Sequence, residues 1–301
     1  MSRQNRTLKD MRRLRRSKGA LALLEGPHLV AAAQAAGLPI ETVLATPEFL
    51  ASPAGGALAA GLPCPPLTVE ARLLDELADA DSPRGLLAVA QLPRGGVEAL
   101  PARAGGIYLY VEGLQDPGNL GALARVAEAA GAAGMALSPG TVHPNHPRAL
   151  RASAGSLLRL PVAVGVEPDL LDRRLSMAIA PAAVASGAPP AAAASGTPAA
   201  APCWVVLVPR GGADLYDEPP RAGLGETLIL ALGSEGPGVS PALLARAELR
   251  LTIPVAPPVE SLNATVAAAL TLFELRRRRS GSAPSPAGPA LANDGERGER
   301  R

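Results

Sequence analysis

Residues 116–134 read DPGNLGALARVAEAAGAAG, directly after the apolar run GIYLYVEGL at 106–114. The order is strand, glycine turn, helix, which is also how a dinucleotide-binding unit begins. That unit needs G-x-G-x-x-G and an acid about twenty residues on. Here Gly118 and Gly121 flank Asn119, with Pro117 in front, so the first G-x-G is missing. The next strand, MALSP, runs into a Gly-Thr loop and carries no acid. Both facts argue against a nicotinamide site. G-x-x-x-x-G-K-[ST] is absent, which excludes a P-loop.

Outward from this stretch the chain alternates regularly. IYLYV, MALS, PVAV, CWVVLV, TLILAL and LRLTI read as strands. Between or after them, NLGALARVAEAAG, HPRALRASAGSLLRL, DLLDRRLSMAI, SPALLARA and SLNATVAAALTLFELRRRR read as helices. Strands alternating with helices predict a parallel sheet covered on both faces. In the last helix, Leu262, Val266, Leu270 and Phe273 mark the expected buried stripe. Upstream, LALLE (21–25), TVLAT (42–46), LTV (67–69) and LLAVAQL (86–92) are strands of a smaller α/β unit, with helices from Pro27 to about Ala36 and over ARLLDELADA. PRGGVEALPARAGG (93–106) reads as a linker.

The 301 residues, 48% of them hydrophobic, suffice for two cores. The expected division is residues 1–95, 105–279 and a disordered tail at 280–301. PAAVASGAPPAAAASGTPAAAP (181–202) has no period and few large apolar residues, and is expected to be a disordered insert. Net charge is +2, but it is unevenly placed. The first nineteen residues hold Arg3, Arg6, Lys9, Arg12, Arg13, Arg15, Arg16 and Lys18 against Asp10, and RRRR recurs at 276–279. Such clusters suit a polyanion, and on charge alone a solvated tail fits the N-terminal run equally well. The two cysteines, Cys64 and Cys203, lack CxxC partners, so neither a disulfide framework nor a zinc site is expected, and free thiols fit the cytoplasm. HPNH (143–146) reads as a loop, without the further ligands a metal needs. No apolar run is long enough to span a membrane, and ALALL, followed by Glu25, is too short for a signal peptide.

Two more segments decide the function. ALGSEGPGVSPALLA (231–245) is a glycine loop between a strand and a helix capped by Ser240, with Glu235 in its middle. IPVAPPVESLNATVAAAL (253–270) is a proline-rich turn leading into the final helix, which Ser261 or a neighbour caps, with Asn263 in the first turn. Taken with residues 116–134, these resemble the three motifs of the SpoU (TrmH) family of RNA 2′-O-ribose methyltransferases. The resemblance covers about residues 105–279. It extends to R-x-x-x-x-x-ALLEGPHLV (16–30), which is similar to the substrate-binding domain fused to many members. Departures are Val126 for a frequent Thr, APP before Val259 for a common Gly, and Ala264-Thr265 for a frequent Val-Ser pair.

The resemblance implies an α/β domain whose parallel sheet ends in a C-terminal trefoil knot, preceded by a small α/β RNA-binding domain. It implies S-adenosyl-L-methionine held near Leu232, Gly233, Ile253, Pro254 and Leu262. It assigns catalysis to Asn119, Arg125, Glu235 and Asn263. The family arginine has been proposed as a general base. A guanidinium stays protonated in proteins, so a clamp on phosphate and developing alkoxide fits Arg125 better, with Glu235 pairing to it. RNA contacts are expected at Arg12, Arg13, Arg15 and Arg16, and Arg151 and Ser153 are expected to touch RNA or a partner subunit. The implied partner is structured RNA, 23S ribosomal RNA before transfer RNA, and the implied assembly is a homodimer needing neither metal nor membrane. A non-catalytic RNA-binding assembly factor is the competing reading, against which the intact set of four residues speaks.

Overall fold

The computed structural model describes residues 11, 13–14, 19–78, 84–92, 94–179, 201–217 and 227–280. The expected insert, apart from residues 201–202, and the tail, apart from Ser280, lie outside the described residues, as do Arg12, Arg15 and Arg16.

The first unit runs β1 (Leu21–Glu25), α1 (Pro27–Ala35), β2 (Ile40–Ala45), α2 (Pro47–Ala51), α3 (Pro53–Ala60), β3 (Leu67–Thr68), α4 (Ala71–Leu77) and β4 (Leu86–Gln91). Its sheet has the order β1-β4-β2-β3. β4 is antiparallel to both β1 and β2, and β2 is parallel to β3. The periodic reading missed α2 and α3, which are too short for a period to show. Their signal is in the caps. Thr46 Oγ1 accepts from Phe49 N at 3.2 Å and Ser52 Oγ from Gly55 N at 3.0 Å, and each cap precedes a proline at the first helical position.

A 3₁₀ turn at Val97–Ala99 leads into the second unit. There β5 (Ile107–Val111), α5 (Pro117–Ala129), β6 (Gly134–Leu137), α6 (Pro147–Ala152), α7 (Ser156–Arg159), β7 (Val162–Val164) and α8 (Pro168–Ile179) come first. Then follow β8 (Cys203–Leu207), β9 (Ala213–Asp214), β10 (Leu228–Leu232), α9 (Pro241–Ala245), β11 (Leu249–Thr252) and α10 (Ala264–Ser280). The strand order is β7-β6-β5-β10-β8-β11-β9, and every pairing is parallel. β5 and β10 are buried along their whole length, as strands covered on both faces are. Alternation then divides β5. Ile107, Leu109 and Val111 join the core beneath α5 and α10, while Tyr108 and Tyr110 face the core beneath α8 and α9.

Two expectations need correction. The single helix foreseen over 146–160 is broken into α6 and α7, because Ala154 (φ 48°) and Gly155 (φ 89°) are both left-handed. The linker segment, from Arg94 on, is docked on the second unit. Arg94 is half-buried, and its Nε and Nη2 donate to Asn145 Oδ1 (2.9 Å) and Leu157 O (2.8 Å). Burial pulls the Arg94 guanidinium down to about 10. Of the stripe expected to be buried on the last helix, Leu262 precedes the helix and lines a cleft, and the other three residues are outside. Val266 is 47% exposed, Leu270 39% and Phe273 47%, while Ala268, Thr271, Leu272 and Leu275 are buried. The helix has two apolar faces, and the one with the small residues lies against α5.

Candidate active site

Asn119 is the point where the three motifs meet. It stands in the first turn of α5, whose cap is Asp116; that carboxylate accepts from Asn119 N at 2.7 Å. The Asn119 side chain spans two other segments. Its Nδ2 donates to Glu235 Oε1, and its Oδ1 accepts from Asn263 Nδ2 at 3.1 Å. Thr265 Oγ1 donates to the Asn119 carbonyl at 3.3 Å. Asn263 is itself the cap of α10, one residue before the helix, accepting from Thr265 N at 2.8 Å. Asp116 and Thr265 were not foreseen as site residues. The Asp-Pro pair at a helix start was the available signal for Asp116; Thr265 had none.

Beside this hub lies a cleft of about 440 Å³. It opens where β8, β10 and β11 end, at the carboxyl edge of the parallel sheet, where α/β folds place their ligands. Leu232, Gly233, Ile253 and Leu262 line it, together with Glu235 and Asn263. Pro254 does not; it lines a neighbouring groove with Arg210 and Pro257, which Ile253 and Val255 also border. Val255 faces the cleft in its place. Gly233 has a steric reason to be glycine. A Cβ there would lie 2.1 Å from the carbonyl carbon and oxygen of Gly238.

Arg125 is not in the hub. It is exposed on α5 and has no side-chain hydrogen bond or ion pair among the described residues. The expected Glu235–Arg125 pair is absent, since Glu235 takes its hydrogen bond from Asn119. Helix geometry explains this. Six residues carry Arg125 about 240° around and about 9 Å along the helix from Asn119.

The proposed RNA contacts divide as well. Arg13 is exposed. Ser153 is fully buried and its hydroxyl donates to Leu150 O at 2.7 Å, so it belongs to the helix interior and not to an RNA surface. Arg151 Nη1 reaches Glu25 Oε2 at 2.5 Å, joining the second unit to the first. The HPNH histidines are structural: His146 Nδ1 caps α6, accepting from Arg148 N at 3.1 Å, and His143 Nδ1 accepts from Asn145 N at 3.2 Å.

An all-parallel sheet with a glycine-floored cleft at its carboxyl edge, beside an amide–carboxylate hub, defines an α/β enzyme of the ligand-at-the-strand-ends type. The chain belongs to the SpoU rRNA Methylase family, whose model matches residues 106–273. An MRM3-like substrate binding domain matches residues 3–88. The 23S rRNA (guanosine(2553)-2′-O)-methyltransferase RlmP of Bacillus subtilis is 29% identical over 282 residues, covering 91% of this chain and 98% of that protein. A solved RNA 2′-O ribose methyltransferase is 28% identical with a TM-score of 0.72, covering 92% of this chain and 98% of that one. AviRb of Streptomyces viridochromogenes, solved with the cofactor AdoMet, shares the fold at 24% identity and a TM-score of 0.76, covering 92% of this chain and 98% of that one.

Proposed function

We propose that this chain transfers a methyl group from S-adenosyl-L-methionine to a ribose 2′-hydroxyl of 23S ribosomal RNA. The observation that carries the reading is the Asn119–Glu235–Asn263 hub set against the Gly233 cleft. The residues present fit the cofactor. The cleft falls within the size range of small-molecule sites. Its walls at Leu207, Val208, Leu232, Ile253 and Leu262 are apolar, and its glycine-rich floor offers backbone polar groups. Leu232, Gly233, Ile253 and Leu262 would hold it. When bound, it supplies an electrophilic methyl on a sulfonium.

The protein's task is then positioning. Asn119 is held at both ends of its side chain by Glu235 and Asn263, so it serves as a rigid node. Glu235 keeps its second carboxylate oxygen for the incoming ribose, whose 2′-hydroxyl donates to it and is held for in-line attack. Arg125 faces the RNA, where a guanidinium binds the adjacent phosphate and offsets charge growing on the ribose oxygen. Residues 1–95 take the folded RNA by shape and backbone. Residues 105–279 carry the chemistry, with their C-terminal segment threaded through a loop as a trefoil knot. A homodimer is part of the reading, supported by the exposed Val266, Leu270 and Phe273 stripe. So are a cytoplasmic location and independence from divalent metal.

The test is methyl transfer from labelled donor to 23S fragments and to transfer RNA, with the product nucleotide mapped. Label on a ribose 2′-oxygen of 23S RNA, unaffected by EDTA, is expected. Label on a base, or restoration by Mg²⁺ of a transfer that EDTA abolished, overturns the reading; label on transfer RNA alone moves the substrate.

A further inference from the structure

We infer that Glu112, the residue after β5, is a positioning residue that fastens both ends of the loop flooring the cofactor cleft; the inference rests on the cofactor reading above. Glu112 N donates to Leu232 O at 2.9 Å, just before that loop. Its carboxylate then closes the far end. Oε2 accepts from Ser240 N at 2.7 Å and Oε1 from Ser240 Oγ at 2.8 Å. A single residue of β5's end thus ties together positions 232 and 240.

The loop between them needs such a tie. It reads GSEGPGV, with three glycines in seven residues. Gly236 (φ 137°) and Gly238 (φ 71°) occupy backbone space that other residues avoid. Glycine-rich backbone loses the most freedom on ordering. The loop's own closure is one hydrogen bond, Gly238 N to Ser234 O at 3.1 Å. Its side-chain anchor is Glu235 on Asn119, which is part of the chemistry. Fixing the two ends from β5 therefore sets where Gly233 and Glu235 stand.

Glu112 is itself held rigidly. The next residue, Gly113 (φ 68°), donates its N–H to Ser138 Oγ at 3.0 Å and Thr141 Oγ1 at 3.1 Å. Ser240 is equally committed, because its Oγ accepts from Leu243 N at 3.2 Å as the cap of α9. A carboxylate receiving two donors is the strong form of this contact. Rigid support of this kind is what placement to a fraction of an ångström requires.

The experiment is calorimetric binding of S-adenosyl-L-methionine and of its demethylated product to the full-length protein and to Glu112→Gln, Ser240→Ala, the double variant and Ser240→Thr. Glu112→Gln keeps the size but places an amide against two donors, and it is expected to weaken donor binding about tenfold, the scale of one lost hydrogen bond to a charged group. Donor KM rises more than kcat falls, and backbone hydrogen exchange accelerates over 233–239. Ser240→Thr keeps both donors and restores the affinity. The double variant is no worse than the worse single one, since both changes break the same contact. Wild-type donor affinity in Glu112→Gln, or a fall in melting temperature without any change in donor affinity or loop exchange, overturns the inference. A wild-type protein that binds no donor overturns the cofactor reading instead.

Discussion

At the scale of the residue, the site is built from amides and a carboxylate that constrain one another. Asn119 uses both ends of its side chain within the protein. Asn119→Asp keeps the shape and sets a second carboxylate against Glu235, and like charges at that spacing destabilise one another. The expected result is a loss of turnover of about a hundredfold, the scale of one misplaced oriented group, with the fold retained by circular dichroism. Arg125→Ala is expected to lower single-turnover rates on a defined RNA by a similar factor while donor affinity holds, because Arg125 does not line the cleft. Normal turnover at saturating RNA with weaker RNA binding would reduce Arg125 to a phosphate contact. At Gly233 the issue is steric. An alanine Cβ would need backbone 2.1 Å away to retreat, so Gly233→Ala is expected to lose donor binding by calorimetry.

At the scale of the element, α10 shows how one helix serves two interfaces. Ala268, Leu272 and Leu275 face α5, while Val266, Leu270 and Phe273 face outward. A charge on the outer stripe tests the dimer: Phe273→Glu is expected to give a monomer by light scattering with helix content unchanged. The inner attachment is electrostatic at its end. Hydrogen bonds from Arg277 first and Arg278 second hold the Glu274 carboxyl down at about 2, and Arg278 also donates to the carbonyls of Leu215 and Asp217. A carboxylate with a lowered folded-state pKa stabilises the fold above its ordinary value and loses that contribution as pH falls toward the folded value. The melting-temperature advantage of the wild type over Glu274→Gln is therefore expected to be full at neutral pH, to shrink below about 4.5 and to close near 2.

At the scale of the whole molecule, the two sheets share one apolar core: Leu24, Leu29 and Leu86 of the first unit belong with Leu120, Leu150 and Leu157 of the second. Polar contacts cross the same junction. Asn145 is buried and donates to Gly19 O (3.1 Å) and Leu92 O (3.2 Å) while accepting from Arg94. Arg94→Leu removes the donor to both Asn145 Oδ1 and Leu157 O. Leaving such acceptors without it costs about 1–3 kcal/mol, to be read from urea unfolding, with one cooperative transition in the wild type. Two separate wild-type transitions would show that the units fold independently.

Much of this was legible in the chain. The strands of the parallel sheet are continuous apolar runs, and the caps at Asp116 and Ser240 stand beside prolines where local chemistry places them. Asn119, Glu235 and Asn263 were identifiable through the resemblance of their three motifs, taken together, to the SpoU family; singly, each reads as a cap or a turn residue. Tertiary structure alone decided who touches whom. Glu235 lies 116 residues from Asn119 and Ser240 lies 128 from Glu112; those pairs exist because β10 lies beside β5, and strand order leaves no trace in local periodicity. The same holds for α10, where either apolar face satisfies a helical period. Only the close approach of α5 selects the side with small residues, because side chains there must fit a gap that the rest of the fold has already set.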